Sequence, residues 1–274
     1  MKILSWNIQS GLGADGIQDL YRIIDRITNQ YAPDVICLQE ISRNIDVYAI
    51  TGQEDQLETI TSSVPSYSSS WGAAVRKHRP EGKVEEFGNL TLVNNGTKYD
   101  KVHALPQPPS KGALQIPRVA VEVYIVISDK LIRIINTHLA YHSSNERKMQ
   151  LEYLNQLQQW AADAANSPPQ TGTGAYNHTP VTPYTVMCGD FNFTPGSSDY
   201  QYMTDKGWLD GWLVKNDTQP ATCGIFDEKT WPEGPHCRDY FWLNNSINWK
   251  ISEVVSDQTC PFSDHQPIII TLDI

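Results

Sequence analysis

Polar side chains that can bind a metal or move a proton recur at the ends of apolar runs in this chain, at places far apart in sequence. Asn7 follows ILSW, Glu40 follows VICLQ, and Asn136 and His138 close the run IRIINTH. Asp190 and Asn192 follow VMCG, Asp239 precedes YFWL, and Asp264 with His265 precedes QPIII. Each residue alone admits a structural reading: a turn amide for Asn7 or Asn192, a cap partner for Glu40, a satisfied core imidazole for His138. An adjacent acid and imidazole beside a buried strand are costly to keep without a task, so Asp264 and His265 weigh towards function. Glu40, Asp190 and Asp264 are oxygen donors suited to a hard cation, Mg²⁺ or Mn²⁺. The amides of Asn7 and Asn192 can ligate metal or orient a phosphoryl oxygen without adding negative charge. The two histidines can donate to nonbridging oxygens or move protons, and Asp239 can orient His265.

Such side chains need rigid mounts. KILSWNI (2–8) alternates as a strand, and after a Gly-rich turn Ile17, Leu20, Ile24 and Ile27 recur at helical spacing, predicting an amphipathic helix of about 15 residues. A buried strand is expected over 35–38. The serine-rich stretch 50–70 reads as a loop with a short helical segment. Strands follow at 71–76 and 89–94, with NNG (94–96) as a turn. Residues 119–127 and 130–138 form the clearest hairpin. A helix then starts at Ser143 or Ser144, with Glu146 in its first turn and Leu151, Leu154 and Leu157 along one side. Residues 162–183 read as an exposed excursion and 216–238 as a second irregular segment. DYFWL, ISEVVS and PIIITL supply the last three strands. The pattern is α+β: two packed layers of mostly antiparallel strands with helices outside them. No linker divides the chain, so 1–274 is expected to be one domain.

The formal charge of −10 argues against broad contact with duplex DNA, which recruits a basic face. A small phosphorylated substrate stays compatible, because a bound cation reverses the local field. Eight tryptophans and thirteen tyrosines are generous, and Tyr141, Trp231 and Trp71 are candidates either for stacking on a substrate or for loop core. Five cysteines without metal-type spacing do not make a disulfide framework, although Cys223 and Cys237 could meet across one loop. The chain opens on MKILSWN without an apolar leader and has no run of about 18 apolar residues, from which a cytoplasmic enzyme is expected.

In order along the chain, SWNIQ (5–9), LQE (38–40), NTHLA (136–140), GDFN (189–192) and SDHQP (263–267) resemble the motifs of the endonuclease/exonuclease/phosphatase superfamily. Any one of these motifs is weak; five in order are strong. The resemblance implies a four-layer α/β/β/α sandwich of the DNase I-like kind, two mixed or largely antiparallel sheets inside outer helices, with the active site where the sheet edges converge. It also implies Mg²⁺- or Mn²⁺-dependent phosphoester hydrolysis. Carried over by position, Glu40 is the principal metal ligand, with Asn7 its neighbour and Asp264 beside the metal. Asp190 binds or orients the attacking water, or ligates a second metal. Asn192 and His138 hold phosphoryl oxygens, and His265, oriented by Asp239, completes the site.

The chain departs from the family around Asp239, where Arg238 directly precedes the acid in CRDYFW. Arg238 is therefore a substrate contact or an exposed salt-bridge partner. For Arg118 in QIPRVAV the resemblance implies a phosphate or acidic-residue contact, beside the reading of an ordinary strand-edge arginine; Arg147, on the helix after His138, is in the same class, and Tyr141 is the aromatic substrate candidate. The expected substrate is a phosphorylated small molecule or single-stranded nucleic acid, and no protein partner is evident. Two rivals stand beside this reading. One is an endonuclease or DNA-repair phosphodiesterase with a local basic cleft; the other is an inactive binding module, against which the intact residue set weighs.

Overall fold

Alternate residues of the first strand, β1 (Lys2–Asn7), face different neighbours in the computed structural model, which describes residues 1–80, 82–94, 96–177, 180–244 and 250–273. Ile3 joins a cluster with Val121, Ile134 and Cys188, whereas Leu4 and Trp6 join one with Leu20, Ile23 and Ile60. The period of two along a strand thus separates an interior between two sheets from an outer helical layer.

After β1 the chain forms α1 (Leu20–Asp25), β2 (Val35–Arg43), α2 (Gln56–Ser63), β3 (Tyr67–His78), β4 (Val84–Asn94), β5 (Tyr99–Ala104), β6 (Val119–Ile127) and β7 (Lys130–His138). The second half adds α3 (Ser144–Asn166), β8 (Thr185–Asp190), α4 (Ser198–Asp205), β9 (Trp208–Asp210), α5 (Gly211–Lys215), β10 (Asp239–Asn244), β11 (Lys250–Ser256) and β12 (Ile268–Asp273). One six-stranded sheet runs β11-β12-β1-β2-β4-β3 and the other β5-β6-β7-β8-β10-β9. Each has one parallel pair at its centre, β1 with β2 and β7 with β8, among antiparallel neighbours. The fold is the expected α/β/β/α sandwich. Leu151, Leu154 and Leu157 bring α3 onto the second sheet, while Leu20 and Ile60 bring α1 and α2 onto the first.

Several elements differ from the sequence expectation. The first helix is shorter than predicted and Ile17 lies outside it, 56% exposed. Gly16 takes a positive φ, Leu12 bridges Gln18, and the Asp19 side chain caps the helix by accepting from the Tyr21 N–H. The turn chemistry therefore starts the helix three residues after Ile17. A π-helical turn (Arg26–Tyr31) then keeps Ile27 buried. The strand expected at 35–38 continues to Arg43, and those expected at 71–76 and 89–94 lengthen to β3 and β4. The NNG turn includes Asn95, which lies outside the described residues. The short helix in the serine-rich stretch is α2, whereas β5, α4, β9 and α5 were not anticipated. All five cysteines are free thiols. Among the described residues no helix is long and apolar enough to cross a membrane.

Candidate active site

The two central parallel pairs point their carboxyl ends at each other. β1 ends on Asn7, β7 on His138 and β8 on Asp190, while Glu40 sits near the end of β2. Ligand sites in open sheets form outside strand carboxyl ends for the same reason: polar groups there escape the ladder and stay anchored. The close approach of β8 to β7 depends on Gly189, where a Cβ would lie 1.8 Å from the Thr137 carbonyl oxygen.

Glu40 occupies a break in the register of β2 and β4 between Leu38 and Ile41, with φ of 61°. A non-glycine residue in left-handed backbone at a bulge is strained, and the bulge re-aims its side chain. Asn7 Nδ2 lies 3.2 Å from both Glu40 Oε1 and Asp190 Oδ2 and donates to each, bringing the two carboxylates together across the sheets. Asn7 Oδ1 accepts from the Gln9 N–H, and Ser263 Oγ donates to the Asn7 carbonyl at 2.7 Å. Burial, reinforced by Asp264, pushes Glu40 up to about 7.

Asp190 accepts from the Asn192 N–H at Oδ1 (2.9 Å) and faces His138 Nε2 (3.3 Å) and His265 Nε2 (3.6 Å) from Oδ2. Burial works against its charge, but His265, His138 and these hydrogen bonds hold it below the ordinary carboxylate range. Asn192, also at positive φ, donates from Nδ2 to the Leu139 carbonyl and stands 3.1 Å from His138 Nε2. With Nε2 accepting from Asn192, the neutral ring carries its proton on Nδ1. That Nδ1 is buried without a hydrogen-bond partner, 3.9 Å from Glu40 Oε1. Burial, assisted by Arg118, keeps His138 well below its usual range and so neutral. Arg118 acts electrostatically on Glu40 and Asp190, and its buried Nε also lacks a partner.

His265 Nδ1 donates to Asp239 Oδ2 at 2.8 Å, and Thr222 Oγ1 donates to the same oxygen at 2.6 Å. Burial opposes a charge on His265, but Asp239, Asp190 and Asp264 together hold it well above the usual imidazole range. Trp231 packs edge-on to His265 with centroids 5.6 Å apart. Its indole nitrogen faces the Asp264 carboxylate without closing a hydrogen bond of normal geometry. Burial raises Asp264, which also accepts from Ser263 Oγ at 3.3 Å. Sequence reasoning missed Thr222, whose only signal is membership of the irregular loop, and Ser263, although it begins SDHQP.

Of the peripheral candidates, Arg147 donates through Nε to Asp199 (2.7 Å) and through Nη1 to the carbonyls of Ala140 and Tyr141. Arg238 lies over the rings of Tyr141 and Trp231 and donates to His236 Nε2 at 2.6 Å. Both arginines and Tyr141 line a cavity that Asn192 shares with the centre. Trp71 packs instead against the outer cluster beneath α1 and α2.

The donor set fits a divalent cation. Four carboxylates, Glu40, Asp190, Asp239 and Asp264, converge with one imidazolium and one guanidinium to balance them, and three of the four, all but Asp190, are raised by burial and mutual crowding. Asp190, Asp239 and His265 also present ligand atoms within 4.8 Å of one another. A metal there requires His265 Nε2 to surrender a proton that three neighbouring carboxylates hold in place, so Glu40 with Asp190 is the better-suited pair.

The comparisons agree with this architecture. The model of the Endonuclease/Exonuclease/phosphatase family matches residues 4–265. No curated protein matches this chain in sequence. Among solved structures, an endonuclease/exonuclease/phosphatase from Beutenbergia cavernae is similar at TM-score 0.72 and 18% identity, over 100% of this chain and 71% of that one. A mannosyl-6-phosphatase of Bacteroides thetaiotaomicron is similar at TM-score 0.66 and 16% identity, over 100% of both chains. The human Nocturnin catalytic domain, with a bound sulfate anion, is similar at TM-score 0.63 and 18% identity, over 100% of this chain and 93% of that one. By motif order, fold and family match, the chain belongs to the endonuclease/exonuclease/phosphatase family.

Proposed function

We propose that the protein is a divalent-metal-dependent hydrolase that cleaves phosphoester bonds by in-line attack of water on phosphorus, acting on a small or single-stranded phosphorylated substrate. One observation carries the reading. Two buried donors without hydrogen-bond partners among the described residues, His138 Nδ1 and Arg118 Nε, stand beside a carboxylate pair suited to a cation. A phosphoryl group is the ligand that satisfies both at once.

Members of the family are generally phosphoesterases or nucleases and typically depend on a divalent metal. Glu40 and Asp190, with Asn7 bridging them and Asp264 alongside, would hold Mg²⁺ or Mn²⁺, which supplies Lewis acidity and lowers the pKa of water. His138 and Arg118 donate to the phosphoryl oxygens as negative charge gathers there, and Asn192 holds the His138 ring in the orientation that does so. Asp190 receives the proton of the attacking water, and the protonated Nε2 of His265, 3.6 Å from it, steadies that carboxylate and donates towards the phosphoryl group. Asp239 fixes which nitrogen of His265 faces the reaction.

The charge of −10 favours small or single-stranded substrates over duplex DNA. The fold is also that of a mannosyl-6-phosphatase, so a small phosphate ester lies within its range. The test is a screen with Mg²⁺ and Mn²⁺ across a phosphomonoester, a phosphodiester, a nucleotide, a sphingolipid or inositol phosphate, and single- and double-stranded DNA. Turnover of a small or single-stranded substrate is expected. Rapid cleavage of plasmid DNA with poor small-molecule turnover would reverse the substrate assignment.

A further inference from the structure

We infer that the cavity bounded by Tyr141, Arg147, Asn192, Thr194, Ser197 and Arg238 receives the alcohol portion of the substrate, and that this portion is a compact, uncharged, polyhydroxylated ring, making the substrate a phosphorylated monosaccharide. The inference rests on the phosphoesterase reading and deepens it.

Asn192 joins the cavity to the reaction centre. Asn192 lines the cavity, its side chain stands 3.1 Å from His138 Nε2 and its N–H holds Asp190. Arg238, which also lines the cavity and reaches the Asn192 carbonyl at 3.5 Å, directly precedes Asp239. A group esterified to a phosphoryl held by His138, beside Asn192, therefore finds this cavity as its neighbouring space. In hydrolysis the water oxygen bonds to phosphorus as the bond from phosphorus to the sugar oxygen breaks. That oxygen keeps the electron pair and takes a proton, releasing free sugar and inorganic phosphate.

Size and chemistry select the occupant. The cavity holds about 370 Å³, near the lower end of small-molecule pockets, which run from roughly 300 to 1,000 Å³. That volume suits a single ring better than a polymer or a long acyl chain. The walls are rich in hydrogen-bonding groups, with hydroxyls of Tyr141, Thr194 and Ser197 beside an amide and two guanidiniums.

Both guanidiniums are already charge-balanced. Asp199 lies 2.7 Å from Arg147 Nε, and Glu233 lies 3.4 Å from Arg238 Nη2. Arg147 Nη2 takes part in none of the bonds that anchor that side chain, so it keeps donors for an incoming oxygen. A polar, nearly neutral wall satisfies hydroxyls and offers little to a second phosphate. Arg238 is held between the rings of Tyr141 and Trp231, its guanidinium carbon 5.2 and 4.8 Å from their centroids, which restrains the wall.

The test uses the full chain with Mn²⁺, glucose 6-phosphate, fructose 1,6-bisphosphate and p-nitrophenyl phosphate. Thr194→Trp fills the cavity at a side chain that makes no internal hydrogen bond among the described residues. It should lower the ratio of kcat/KM for glucose 6-phosphate to that for the aryl ester by about tenfold or more. Tyr141→Ala, at a ring 42% exposed, should move the ratio in the same direction and serves if the first variant misfolds. An unchanged ratio in the folded variants would overturn the subsite, as would a strong wild-type preference for the bisphosphate. If the wild type hydrolyses none of these monoesters, the phosphoesterase reading passes to the wider screen of diesters, nucleotides and DNA. Calorimetric titration with glucose 6-phosphate then decides the subsite separately: binding lost in Thr194→Trp upholds it, and no binding to the wild type overturns it.

Discussion

Asp239 and His265, 26 residues apart in sequence, are joined by a 2.8 Å hydrogen bond from imidazole Nδ1 to carboxylate Oδ2. The bond fixes the ring so that Nε2 turns towards Asp190. Asp239→Asn keeps the shape but replaces the acceptor with an amide that can present a donor to Nδ1. Steady-state kinetics should show kcat lower by roughly 10²–10⁴-fold with KM little changed, the scale of a lost general acid–base group. Thr222→Ala removes one hydrogen bond to the same carboxylate, about 1.5–3 kcal/mol, and should cost no more than about a hundredfold. A larger loss in Thr222→Ala than in Asp239→Asn would contradict the arrangement.

Arg118 separates function from stability. Its buried Nε has no partner, and its charge is disfavoured by burial. Arg118→Met should therefore change the thermal midpoint little, because the burial cost of the guanidinium offsets its attraction to Glu40 and Asp190. The same substitution should lower kcat by about 10²–10³-fold if the guanidinium stabilises developing phosphoryl charge. A drop in both together would make Arg118 a structural residue.

Asn136 ties the sheets together beneath the site. Its Nδ2 donates to the carbonyls of Leu90 (3.0 Å) and Leu38 (3.2 Å), and its Oδ1 accepts from Gln39 Nε2 at 2.7 Å. Asn136→Leu strands these buried partners, and urea unfolding should show a loss of about 1–3 kcal/mol. A change under about 0.5 kcal/mol, the scale of an ordinary surface substitution, would mean that packing and not this clamp holds the sheets at that point.

Acid stability should depend on Asp257, whose N–H donates to the Pro267 carbonyl immediately before the last strand. Burial works against its charge, but Thr259, Tyr31 and Arg26 donate to it and hold it at about 2, below its ordinary value of 3.8. A depressed carboxylate adds stability that is fully present above the unfolded value and is lost as pH falls through the folded one. The stability gap between wild type and Asp257→Asn should thus be constant above about pH 5 and close between about pH 4 and pH 2. Urea midpoints across that range check it, and a gap independent of pH would contradict the assignment.

Much of this arrangement was legible in the chain because strand ends and side-chain type coincide. Alternation separated Ile3 from Leu4, and the polar residues after those runs marked the carboxyl ends where Asn7, His138 and Asp190 meet. The bulge that turns Glu40 inward leaves no local signature, since LQE reads as plain strand. Ile17 misled because its spacing fits a helix while Gly16 and Asp19 set the start after it. β5 escaped notice because YDKVHA lies at a sheet edge, where most of its residues are exposed and the apolar period is weak. Thr222 depends on a loop folding back to bridge Cys223 with His236 and His265, a contact between distant residues that no local pattern encodes.

The central claim is that Glu40 and Asp190 hold a divalent ion for phosphoester hydrolysis with His265 beside them. Its most direct test is phosphate-ester hydrolysis by the wild type, Glu40→Ala and His265→Ala, before and after EDTA treatment and on return of Mg²⁺ or Mn²⁺. Wild-type activity should vanish with the chelator and return with either ion, and both variants should be inactive under every condition. Full activity in EDTA, or in both variants, would contradict the account.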